Sequence, residues 1–192
     1  MERRAILLAG AEGRFLEKIT AFEEYLLEIG CLVETIRVTE DPLYAMRRLL
    51  HACIDTPSAS PLLVTYEGHG DRRGWDSGSV ILPIPYWGIT TVLKRRSGPL
   101  LLINDTCYGA CYLRRLQKFR SDGDTCFIST WDSYEQTSGG VIRDALEYWP
   151  HGRKVEDVIV KHFVERDGIE REEPVQIRWG AELERMFFPS SA

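Results

Sequence analysis

The stretch PLLVTYEGHG at residues 61–70 decides the fold. Its first six residues are nearly all apolar, which is typical of a central parallel strand covered on both faces. The strand runs directly into the polar stretch EGHG, so it delivers His69 at its carboxyl end. A second apolar stretch, LLLIN at residues 100–104, ends in DTCYG at residues 105–109. The sequence therefore predicts two buried strands, one ending in a histidine and the other in Cys107.

Strands and helices alternate on both sides of these two stretches. An apolar run at residues 4–9 stops at Gly10, and an amphipathic helical pattern follows and stops at Gly30. Residues 31–38 are extended, after which Asp41 and Pro42 supply a cap and a first-turn proline for a second helix. The other predicted elements are a hairpin-like excursion (71–85), helices (87–94, 110–119, 138–148, 155–164) and strands (125–130, 174–177).

This alternation predicts an α/β fold with right-handed crossovers and a mainly parallel sheet that carries helices on both faces. Such sheets place their functional sites at the carboxyl ends of the strands. The chain has 192 residues, a mass of 22.0 kDa and 44% hydrophobic residues. These values predict a single domain over residues 1–192 with one sizeable core.

Composition excludes several classes of protein. Lys and Arg total 24 against 29 Asp and Glu, and no stretch concentrates the basic residues, so nucleic acid is not expected as a partner. No apolar run approaches the roughly 20 residues that span a bilayer, and the N-terminus carries no signal-peptide pattern. We therefore expect no membrane partner and a cytoplasmic location.

The five cysteines form an odd set without the C-x-x-C spacing of a zinc or redox site. Reduced thiols are the simplest interpretation, and no metal or cofactor is expected. Cys31, Cys53 and Cys126 fit packed positions of strands or helices. Trp75 and Trp87 are expected in the core or in the wall of a pocket.

Cys107 and His69 have the chemistry of a nucleophile and its acid/base partner. A free cysteine has a pKa of about 8.5, so a thiol that attacks a carbonyl needs a base within hydrogen-bond reach. Gly68 and Gly70 let the backbone turn tightly beside a substrate. The backbone amides of Gly70 and Cys107 are the candidates for the oxyanion hole. The alternative for Cys107 taken alone is an inert packed thiol, since free cysteines are often buried.

The motifs YEGHG at residues 66–70 and DTCYG at residues 105–109 resemble the His-Gly and Asp-x-Cys-x-Gly signatures of the caspase-like cysteine peptidases, which include metacaspases, paracaspases and CHAT proteases. The segments 128–130 and 135–141 are similar to the region after the fifth strand of metacaspase-like enzymes. The segments 174–176 and 187–189 resemble the closing part of that fold. The element order agrees over almost the whole chain.

The resemblance implies a caspase-like three-layer sandwich with a six-stranded, mainly parallel sheet. It implies that Cys107 attacks a peptide bond with His69 as acid/base partner, through an acyl-enzyme and without a metal. It also implies that Asp105 recognises a basic residue before the scissile bond, with Asp132 or Glu135 as a second carboxylate. The expected function is a cysteine endopeptidase that cleaves protein or peptide substrates after Arg or Lys.

The expected regulators of such an effector are an activating protein or an upstream protease, and the pair Arg72-Arg73 is one candidate processing site. By resemblance, a role in microbial stress or antiphage defence fits. Two alternatives stay open. One is a catalytically silent caspase-like module that serves as a scaffold for interactions. The other is a flavodoxin-like regulatory or nucleotide-binding domain, which is disfavoured because no glycine-rich phosphate-binding motif follows the first strand.

Overall fold

The structure is a computed structural model, and it describes residues 2–38, 41–76, 83–107, 125–129 and 187. The helices expected at 110–119, 138–148 and 155–164 lie outside the described residues. The same is true of the strand expected at 174–177 and of Asp132 and Glu135.

The described elements alternate as the sequence predicts. In chain order they are β1 (Arg4–Ala9), α1 (Gly13–Glu28), β2 (Leu32–Arg37), α2 (Pro42–Asp55), β3 (Leu62–Glu67), β4 (Gly74–Trp75), β5 (Ile84–Pro85), α3 (Tyr86–Leu93), β6 (Leu100–Asp105) and β7 (Thr125–Ser129). The main sheet has the strand order β2-β1-β3-β6-β7, and all neighbouring strands in it are parallel. The α/β class and the parallel sheet are thus confirmed for the part of the chain described, where this sheet has five strands.

Helices cover both faces of the sheet. One core cluster joins alternate residues of the central strands to α2 and α3, and the other joins the intervening residues to α1 and Phe187. This division follows from the strand geometry, because successive side chains point to opposite faces. Every residue of β3 and of β6 is buried, as expected for strands covered on both sides. The described elements therefore form three layers, with the sheet in the middle.

The helix boundaries follow from local chemistry. The Asp41 side chain accepts a hydrogen bond from the Tyr44 amide at 2.9 Å, and Pro42 begins α2, as predicted. The chain leaves α1 through Gly30, whose φ of +79° is a conformation that favours glycine. In α1 the residues of the predicted apolar face are buried: Phe15, Ile19, Phe22 and Leu26.

The excursion between β3 and β6 contains a short antiparallel ribbon, in which Gly74 pairs with Pro85 and Trp75 with Ile84. A Cβ at Gly74 would overlap the carbonyl group of Ile84, so only glycine fits there. The expected hairpin-like excursion is confirmed within the described residues. None of the helices described is both long and apolar enough to cross a bilayer.

Candidate functional site

The carboxyl ends of β1, β3 and β6 meet at one edge of the sheet. Glu67 is the register partner of Ala9 in β1 and of Asp105 in β6. Beyond the strand ends, the Gly68 amide donates to the Asp105 carbonyl at 3.2 Å, and the Gly10 amide donates to the Glu67 carbonyl at 2.8 Å. The segments that follow these three strands are therefore held side by side.

This register brings the two predicted reactive residues to the same edge. His69 lies two residues after Glu67, and Cys107 lies two residues after Asp105. A Cβ at Gly70 would lie 3.3 Å from the Cys107 carbonyl oxygen and would overlap Thr106 Oγ1, so the two segments remain in contact past the strand ends. His69 is exposed and Cys107 is partly exposed. Both side chains thus lie at the protein surface at the carboxyl edge.

The backbone of His69 is fixed by two hydrogen bonds to its carbonyl oxygen, from Tyr66 Oη at 2.6 Å and from the Asp76 amide at 2.9 Å. The Tyr66 ring stacks on Trp75, with ring centroids 4.4 Å apart and planes at 11°. The Trp75 indole nitrogen donates to Asn104 Oδ1 at 2.7 Å. The loop that carries His69 is therefore tied to β6, the strand that leads to Cys107.

The backbone amide of Gly70 points away from Trp75, the residue with which Gly70 is paired. Gly70 and Trp75 form an antiparallel bridge, and its two hydrogen bonds use the flanking residues: the Asp76 amide donates to the His69 carbonyl, and the Asp71 amide donates to the Gly74 carbonyl. In that pattern the central residues turn their own amides outward. An amide that is not used by the ribbon can serve as an oxyanion donor, and that role stays a prediction for the amides of Gly70 and Cys107.

A tight turn lies at the tip of the loop. The Asp71 carboxylate accepts from the Arg73 amide at 2.6 Å and from the Gly74 amide at 3.1 Å. Arg72 and Arg73 are exposed in this turn. Their role as a processing site stays a prediction.

The imidazole of His69 contacts the beginning of α1. Its Nε2 forms a short hydrogen bond with Glu12 Oε1. The His69 and Phe15 rings pack edge to face, with centroids 5.0 Å apart and planes at 89°. The Arg14 guanidinium lies 3.5 Å from the same Nε2, and its Nε is 2.5 Å from Glu12 Oε2. Three side chains at the start of α1 therefore surround the histidine.

The hydrogen bond from His69 is the chief reason that the pKa of Glu12 lies below its usual 4.5, and Arg14 acts in the same direction. Sequence reasoning missed Glu12 and Arg14. The signal that pointed to them was Gly10, since a glycine-bounded turn after the first strand must lie at the same edge as the ends of the neighbouring parallel strands.

A buried pair of carboxyl groups lies at the ends of β3 and β6. Glu67 is 0% exposed and Asp105 is 1% exposed. Lys18 Nζ donates to Glu67 Oε1 at 2.6 Å. Burial, and then the neighbouring Asp105, raise the pKa of Glu67 well above 4.5, although Lys18 acts in the opposite direction. The structure therefore places Asp105, the predicted substrate-binding carboxylate, in a buried pair rather than on an open surface.

Two of the other cysteines pack in the core clusters. Cys31 and Cys53 are buried, as expected, and Cys126 lies in β7. Across the ranges described, no three His, Cys, Asp or Glu side chains are grouped so that they can hold a metal ion. Cys107, in contrast, is partly exposed.

No family model matches this chain, and no curated protein matches it.

Proposed function

We propose that the chain is a cysteine endopeptidase with a caspase-like fold, in which Cys107 is the nucleophile and His69 is its acid/base partner. One observation carries the proposal: the parallel register of β3 and β6 pairs Glu67 with Asp105, two residues before His69 and Cys107 respectively. An exposed imidazole and a partly exposed thiol thus follow adjacent strands at the edge where parallel α/β sheets place their sites.

The proposed reaction begins when His69 accepts the proton of the Cys107 thiol and the thiolate attacks the substrate carbonyl carbon. The amides of Gly70 and Cys107 donate hydrogen bonds to the resulting oxyanion. The protonated imidazole then gives its proton to the leaving amine, and the carbon–nitrogen bond breaks. Water, activated by the neutral imidazole, attacks the thioester carbonyl, which releases the carboxylic acid and restores the thiol.

The finer features of the fold belong to the same proposal. We propose that residues 1–192 form one domain and that a sixth strand at 174–177 completes the sheet. The main support is the order of the described elements, with helices on both faces of a parallel sheet. A cytoplasmic location is also part of the proposal, and its support is the odd set of five cysteines without a C-x-x-C spacing, which suits a reducing compartment.

We propose cleavage after Arg or Lys, with Asp105 as the recognising carboxylate and Asp132 or Glu135 as a second one. The support for this preference is the resemblance of DTCYG at residues 105–109 to the Asp-x-Cys-x-Gly signature, in which the aspartate recognises a basic residue. Asp105 is 1% exposed and lies beside the buried Glu67, so this recognition requires the cationic end of the substrate side chain to reach the buried pair. An activating protein or an upstream protease is the proposed means of control, in a microbial stress or antiphage response.

The test is incubation of the purified protein with a cell proteome, followed by sequencing of the new N-termini. The matched control is Cys107→Ala, which removes one sulfur atom and leaves the strands unchanged. We expect new N-termini that follow Arg or Lys with the wild type and none with Cys107→Ala. Identical N-termini from two folded proteins would contradict the endopeptidase and would favour the catalytically silent scaffold.

A further inference from the structure

We propose that Glu12 is a positioning residue, which holds the His69 ring in the tautomer and orientation that the reaction requires. This inference rests on the proposed function and deepens it. Glu12 is the N-cap residue of α1, just before Gly13, and it approaches His69 from across the β1–β3 edge. The two residues are 57 positions apart in the sequence.

The hydrogen bond fixes where the imidazole carries its proton. A carboxylate only accepts hydrogen bonds, so a neutral His69 that binds Glu12 through Nε2 must carry its proton on that nitrogen. Ionisation of Glu12 is favoured, because its pKa is lowered by the bond from His69. The lone pair is then on Nδ1. Nδ1 is therefore the atom that exchanges a proton with Cys107.

Arg14 approaches the same nitrogen but cannot replace Glu12. A guanidinium only donates, so it requires a lone pair on Nε2, whereas Glu12 requires a proton there. The Glu12 contact is the shorter of the two, since Arg14 lies 3.5 Å away at the limit of hydrogen bonding. Arg14 instead binds the other carboxylate oxygen of Glu12 at 2.5 Å. It therefore holds the carboxylate that holds the ring.

Phe15 limits how far the imidazole turns. This side chain is buried, and its ring meets the His69 ring edge to face at 5.0 Å. The backbone connects the two contacts, because the Phe15 amide donates to the Glu12 carbonyl at 3.0 Å. The first turn of α1 thus presents a packing surface and a hydrogen-bond acceptor to the same imidazole.

The effect expected from loss of Glu12 is on turnover. Without the Glu12 acceptor, the ring also samples the tautomer that carries its proton on Nδ1. In that tautomer Nδ1 cannot accept the proton of the Cys107 thiol. We expect Glu12→Ala to lower kcat about tenfold, a fraction of what general acid–base catalysis contributes, and to change KM less than about twofold. Glu12→Gln keeps an acceptor oxygen of the same reach, so we expect kcat within about threefold of the wild type.

Glu17 provides the matched control, because it is an exposed glutamate on the same helix. Glu17→Ala makes the same change of charge and side-chain size, and we expect the wild-type kcat and KM. If the wild type cleaves peptides and Glu12→Ala has the same kcat as Glu17→Ala, the inference is overturned while the proposed function stands.

A second readout does not depend on activity. The ¹⁵N spectra are recorded at a pH where the His69 imidazole is neutral, and the His69 signals are assigned by their loss in His69→Ala. We expect the proton of His69 on Nε2. In Glu12→Ala we expect a mixture of the two tautomers, and in Glu12→Gln recovery of the Nε2 form. An inactive wild type that shows this pattern would contradict the peptidase while supporting the positioning contact. A His69 tautomer that is the same in all three proteins would overturn the inference.

Discussion

Glu67 and Asp105 are register partners at the carboxyl ends of adjacent parallel strands, and both are buried. This pairing fixes the relative position of the two segments that follow, which carry His69 and Cys107. It also places two carboxyl groups in one desolvated space, which is costly unless they share protons or bind a cation. The same pair therefore organises the candidate site and gives the fold a pH-dependent element.

The raised pKa of Glu67 predicts a contribution to stability that falls as pH rises. Below the usual value of 4.5 both the folded and the unfolded chain hold the proton, so the contribution is fully present. Above 4.5 the unfolded chain releases its proton while the folded chain keeps it, and the free energy of unfolding decreases until the folded pKa is passed. We expect Glu67→Gln, which is always neutral, to lose this decrease.

The measurement is the free energy of unfolding by urea at several pH values between 4.5 and 8, for the wild type, Glu67→Gln and the control Glu17→Gln. As pH rises, the free energy of unfolding of Glu67→Gln should increase steadily relative to that of the wild type. The control should follow the wild type. A difference that is constant over this range would show that Glu67 has the same pKa in both states.

The hydrogen bond from Trp75 to Asn104 connects the His69 loop to β6. Trp75→Phe keeps an aromatic ring for Tyr66 but removes the buried donor, so we expect the free energy of unfolding to fall by about 1–3 kcal/mol. Trp87, which is 71% exposed, is the matched control, and Trp87→Phe should change stability by less than about 0.5 kcal/mol. Equal effects of the two substitutions would contradict a structural role for this bond.

Gly70 lies where the His69 and Cys107 segments touch. A Cβ there would overlap Thr106 Oγ1 and approach the Cys107 carbonyl oxygen, so Gly70→Ala requires the Thr106 side chain or the two segments to move. We expect a loss of about 1–3 kcal/mol in stability and a fall in peptidase activity. Gly13 has open space around it, and Gly13→Ala should change stability by less than about 1 kcal/mol. Unfolding and activity assays on both variants test this, and full activity in Gly70→Ala would contradict the proposed geometry.

The proposed preference for basic residues predicts the ranking of two fluorogenic peptides that differ only in the residue before the scissile bond. We expect the Arg peptide to be cleaved at least about tenfold faster than the Asp peptide, a difference of about 1.4 kcal/mol. In a folded Asp105→Asn variant the ratio should shrink, because the recognising charge is gone. Faster cleavage of the Asp peptide by the wild type would reverse the assignment.

The parts of the fold that depend on local pattern were predictable. The Asp41 cap, the Gly30 stop and the continuous burial of β3 and β6 follow from residue types at short spacing. The adjacency of β3 and β6 also followed, since buried parallel strands close in sequence tend to be neighbours. The placement of His69 and Cys107 after adjacent strands, at the same edge of the sheet, was therefore predictable from the sequence.

The surroundings of His69 were not predictable in the same way. Glu12, Arg14 and Lys18 occur in a run of charges that is typical of a solvated helix face, and only the position of β1 beside β3 brings them to the site. Trp87 was expected in the core or in a pocket wall, and its 71% exposure shows that the first of these is wrong. The buried face of α3 consists of Tyr86, Ile89, Thr90 and Leu93, and Trp87 lies outside it.

Cooperation between His69 and Cys107 is the central claim, and labelling of the intact protein with a peptidyl electrophile that ends in Arg tests it most directly. Mass spectrometry should find the label on Cys107 in the wild type and in His51→Ala, a control at an exposed histidine of α2, and should find it strongly reduced in His69→Ala. Labelling of Cys107 at the same rate in His69→Ala as in the wild type would contradict the account, as would the absence of any label from a folded wild type.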